Sequence, residues 1–148
     1  MKLELPKKLL NKFADEKIHE LGQQFIAVEL PEDIKRGELG KCFDNALLEA
    51  VRSDGKYTYV EGFVYTPTTK EWLHHGWLTD ELGILAFDPT WKAEGKDKKE
   101  FGMHQAGFIY IGVIMDTKKV MDFVLDTEYC SVFDNYKKNV KLANKIFA

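Results

Sequence analysis

The stretch from His74 to Trp91, HHGWLTDELGILAFDPTW, constrains the chain more than any other. Two segments flank Asp80-Glu81-Leu82-Gly83, four residues that suit a hairpin loop, with Gly83 supplying a positive φ near its end. With that turn Thr79 faces Ile84, and the register runs outward from there. Leu78 meets Leu85, Trp77 meets Ala86, Gly76 meets Phe87, His75 meets Asp88 and Trp72 meets Trp91. Opposed residues share a face, with Cβ atoms roughly 5 Å apart. One face therefore carries an imidazole beside a carboxylate, and the other is mostly apolar. His74, adjacent to His75 on the strand, points to the opposite face.

Upstream lies GKCFDNALLEAV. Phe43, Ala46, Leu47, Ala50 and Val51 follow a period of 3.6 and predict a helix with one buried stripe, stopped at Ser53-Asp54-Gly55. Cys42 falls in its first turn, where free N–H groups and the helix dipole favour a thiolate. The same position also suits a cysteine that is only a small buried apolar residue. Nucleophilic catalysis needs a thiolate, a base that reaches it and a group that orients the base. Cys42, His75 and Asp88 supply those three types.

Around these motifs the pattern is mixed. Residues 6–21 predict an amphipathic helix with Pro6 in its first turn and Gly22 as its stop. A short strand is expected at Phe25–Leu30. Residues 57–66 alternate as a strand, with Tyr57, Tyr59, Glu61, Phe63 and Tyr65 on one face. Glu61 is there either as a buried, hydrogen-bonded carboxylate or as an edge residue reaching water. The loop after Thr66 pairs this strand antiparallel with 72–79. Residues 92–100, KAEGKDKKE, read as a solvated charged loop, and 107–115 as a central strand buried on both faces. Helices are expected at 118–127 and 130–147, with Cys130 structural. The order predicts an α+β protein, one domain over 1–148. Its antiparallel sheet of at least four strands packs on the cysteine-headed helix, with flanking N- and C-terminal helices.

A cysteine at a helix start, a histidine on a following strand and an aspartate on the next resembles the papain-like cysteine enzymes of the transglutaminase-like branch. The resemblance covers about residues 38–115, through GKCFDNA, YVEGFV, HHGW, FDPTW and FIYIGV. It implies a papain-like/transglutaminase-like core and a thiol-dependent hydrolase or acyltransferase. Such an enzyme acts on an amide or peptide bond of a peptide or protein substrate through a thioester, without a cofactor. Carried over, Cys42 is the nucleophile, His75 the general base and Asp88 the orienting acid. Papain itself places an oxyanion glutamine before its cysteine, whereas Gln23 and Gln24 stand far from Cys42. The Cys42 N–H, with Trp77 Nε1–H or another side chain, is the expected donor set.

Composition narrows the alternatives. Apolar residues make up 45% and aromatics 13%, which excludes a disordered chain. A formal charge of −3 gives no footprint for nucleic acid across the whole surface, and a nucleic-acid binder is a weaker third reading whose only basic hints are KDKKE, diluted by its acidic residues, and KKNVKLANK. The apolar runs fall short of a membrane span, and MKLELPKKLLNK lacks a secretory core, so a cytoplasmic protein with free thiols is expected. His104 sits in a glycine-flanked loop, and the spacing of Cys42, Cys130 and the histidines matches no zinc pattern, so no metal is expected. The competing reading is a catalytically silent interaction protein on the same fold, because 148 residues leave little room for insertions that build a cleft. The substrate, the choice between hydrolysis and acyl transfer, and the oligomeric state are open at this level.

Overall fold

A computed structural model describes residues 5–6, 8–67, 69–91 and 107–148. The charged stretch 92–100 and the loop holding His104 lie outside the described residues. Five strands, β1 (Gln23–Val28), β2 (Thr58–Thr66), β3 (Glu71–Thr79), β4 (Leu85–Phe87) and β5 (Ile109–Ile114), close into a barrel in the order β1-β4-β3-β2-β5. Among the described residues four α-helices accompany them: α1 (Lys12–Leu21), α2 (Cys42–Arg52), α3 (Thr117–Thr127) and α4 (Val140–Ile146). The α+β class stands, but the antiparallel sheet with a papain-like core does not.

The correction comes from β1. It runs parallel to β4, with Ile26 beside Leu85 and Val28 beside Phe87, and antiparallel to β5, with Phe25 beside Tyr110. One short strand thus satisfies both open edges of the sheet and closes it. Neither partner is near β1 in sequence, so local alternation carries no trace of the closure.

The β2–β3 hairpin pairs from Thr58 with Thr79 to Thr66 with Glu71. β2 is buried on both sides because it has two packing partners. Val60 and Val64 join Phe25, Ala27, Trp77, Ala86 and Tyr110 in one apolar cluster, drawn from all five strands and filling the barrel. Tyr59 and Phe63 face outward onto a second core with Leu47 of α2, Phe123 of α3 and Phe133. α2 lies across β3 and β2 on that outer side.

Two helix boundaries also differ from expectation. α1 starts behind Asn11, whose Oδ1 accepts the Ala14 N–H at 2.8 Å, a cap that Pro6 has no side chain to make. The expected helix 130–147 is instead a 3₁₀ turn at Tyr136–Lys138 followed by α4, capped by Asn139. The N–H groups of Val132 and Phe133 donate to Glu61 at 2.8 Å each, which fixes this segment to the sheet before it coils. Among the described residues no helix is long and apolar enough to cross a membrane.

Candidate active site

α2 starts at Cys42 itself, and its N-cap, Lys41, makes no side-chain capping bond. The first turn lies directly on β3 at Gly76. A Cβ at Gly76 would stand 3.0 Å from Phe43 Cδ1 and 3.4 Å from Phe43 Cα, so any larger residue lifts the cysteine-bearing turn off the strand.

The β3–β4 connection is longer than a four-residue turn. Leu78 pairs with Phe87, not with Leu85, so the register is displaced by two residues. An even displacement leaves every side chain on its expected face, because strand side chains alternate with period two. Pro89 follows at once, and Asp88 lies just beyond the end of β4. The Asp88 carboxylate makes the turn: its Oδ1 accepts the N–H groups of Thr90 at 2.9 Å and Trp91 at 3.0 Å. Its Oδ2 accepts from His75 Nε2 at 2.8 Å and from the Tyr110 hydroxyl at 2.7 Å. Four donors thus fix both oxygens.

His75 is 1% exposed. The Trp91 ring stacks on it with centroids 3.9 Å apart. Burial works against a charge on His75, but the Asp88 carboxylate and its hydrogen bond more than offset it, and a hydrogen bond with the Cys42 thiol adds to the effect. The result is a histidine raised to about 9. Burial likewise opposes ionisation of Asp88, yet the His75 charge and the bonds from Trp91 and Tyr110 hold it below the ordinary carboxylate value. The pair is therefore imidazolium and carboxylate at neutral pH. With Nε2 committed to Asp88, Nδ1 is the nitrogen left for Cys42. The His75–Asp88 pair thus sits beside the place where the first turn of α2, headed by Cys42, rests on β3.

The Trp77 ring lies beside that of His75, with centroids 6.2 Å apart. It is fully buried inside the barrel, edge-on to Tyr110 at 5.1 Å, and its Nε1–H has no hydrogen-bond partner among the described residues.

The second thiol has a different setting. Cys130 donates to Asp44, and burial followed by that carboxylate pushes it up to about 12. Both cysteines are free. On the outer face, Glu61, His74 and Asp134 have ligand atoms within 4.8 Å of one another, a spacing suited to a cation. Both Glu61 oxygens are already engaged, however: Oε1 by Tyr59 and Val132, Oε2 by Phe133 and His74. This answers the sequence alternative for Glu61 in favour of a buried carboxylate.

Tyr110 and Asn45 are the contributors that sequence reasoning passed over. A tyrosine in a doubly buried apolar strand was the available signal, since a buried hydroxyl needs a partner. For Asn45 the signal was weaker, a polar residue one turn from the cysteine. No protein-family model, no curated protein and no solved structure matches the chain.

Proposed function

We propose that the protein is a thiol-dependent hydrolase or acyltransferase acting on an amide or peptide bond of a peptide or protein substrate. The observation that carries this reading is the buried His75 ring, bonded through Nε2 to Asp88 at 2.8 Å, on the strand whose next residue, Gly76, lies against the first turn of the Cys42 helix, a Cβ there standing 3.6 Å from the Cys42 carbonyl oxygen. In the proposed cycle the Cys42 sulfur attacks the carbonyl carbon. The C–N bond breaks, and the His75 imidazolium passes its proton to the departing amine. A thioester on Cys42 remains. Water or a second amine then attacks it, with neutral His75 taking the proton and the Cys42 sulfur leaving. Asp88 holds the ring in one orientation throughout. The uncapped first turn of α2 offers N–H groups for the charge that develops on the carbonyl oxygen.

The test is acylation by an activated ester such as p-nitrophenyl acetate. An acyl group trapped on Cys42 by mass spectrometry, formed in a burst and then released, is the expected result. Cys42 acylating no faster than glutathione overturns the reading.

A further inference from the structure

We propose that Asn45 is a positioning residue, one that registers the helix carrying Cys42 against the turn carrying Asp88. The proposal deepens the thiol reading and rests on it. Asn45 follows Cys42 by three residues on α2, so the two share a helix face. Its Nδ2 spends both protons on other segments, one on Thr90 Oγ1 at 2.9 Å and one on the Glu38 carbonyl at 2.8 Å. The loop closes over the same amide. A Cβ at Gly37 would fall on the Asn45 side chain, and the Gly37 N–H donates to the Pro89 carbonyl at 2.9 Å.

Thr90 completes the link. It is 2% exposed, and its N–H is one of the two that hold Asp88 Oδ1. A continuous path therefore runs from Asn45 through Thr90 and Asp88 to His75, while Cys42 rides on the helix turn that Asn45 anchors. Displacing one reacting group by about 1 Å costs on the order of 10²-fold in rate, so a bond that sets this spacing acts on chemistry without touching a substrate. The link also requires an amide. A carboxylate has no proton for the Glu38 carbonyl.

The experiment is iodoacetamide alkylation of Cys42, located by mass spectrometry, between about pH 5 and pH 10, beside urea unfolding of each variant. Asn45→Ala, Asn45→Asp and Thr90→Val are each expected to slow Cys42 by about tenfold and to alter the pH profile. The double variant Asn45→Ala/Thr90→Val should be no slower than either single one, because both break one link. Thr90→Ser, which keeps the oxygen, should restore the rate to within about twofold. Single variants that lose stability yet label at the wild-type rate and pH profile overturn the proposal, as do slowings that simply multiply. Should Asn45→Ala fail to fold, the comparison of Thr90→Val with Thr90→Ser decides it. A wild-type Cys42 no faster than glutathione instead overturns the thiol reading and this inference with it.

Discussion

His74 and His75 are neighbours on one strand, and each binds a carboxylate through Nε2 at 2.8 Å. Each carboxylate, Glu61 and Asp88, accepts from four donors. The third neighbour separates them. The His74 ring lies among the rings of Phe43, Phe63 and Phe133, and its carboxylate pins the backbone of the C-terminal segment to the sheet. His75 is instead influenced by Cys42, at a helix start, which raises it further. A buried histidine–carboxylate pair is thus no mark of chemistry by itself. What lies on the free nitrogen decides whether it holds a fold together or moves a proton.

The largest effect that would break this contrast is on stability. Glu61→Ala strands Tyr59, His74 and two backbone N–H groups in the outer core, and should cost about 3–5 kcal/mol in urea unfolding. A loss below about 1 kcal/mol would mean that the C-terminal segment is held by apolar packing alone. Next come the two histidines compared directly. His75→Ala should slow alkylation of Cys42 by about 100-fold, and His74→Ala by no more than about twofold in the folded protein. Equal effects would erase the distinction.

The smallest effect is a pH dependence that sharpens it. His75 is raised from its ordinary value to about 9 in the folded protein. Its stabilisation is therefore complete below about pH 6.5, shrinks as pH rises, and is gone above the folded value. The stability difference between wild type and His75→Gln should fall by on the order of 2 kcal/mol across that window. Asp88 is lowered, so its contribution is present above its unfolded value and is lost as acid reaches the folded one. A difference that stays constant between neutral pH and the alkaline end would remove the ion pair from the account.

The contrast also shows where sequence reasoning reaches and where it stops. The stripe Phe43, Ala46, Leu47, Ala50 places α2, because burying one face of a helix leaves a local period, and the β-branched and aromatic run of residues 57–66 places β2. The hairpin register was off by two residues, yet His75 and Asp88 kept a common face because the error was even. Tyr110 and Asn45 were not readable, since a hydroxyl or an amide declares its role only through its partner, and Asp88 and Thr90 lie far from them along the chain.

What the sequence determined by itself is α2, the β2–β3 pair and the two faces of β3, which follow from bonds and clashes spanning a few residues. Only the tertiary structure decided that β1 closes the sheet into a mixed barrel, that Val132 and Phe133 donate to Glu61 before any helix begins, and that Asn45 reaches Thr90. Those outcomes pair groups separated by tens of residues. Their free energy comes from satisfying open strand edges and buried polar atoms, demands that exist only once the chain is compact.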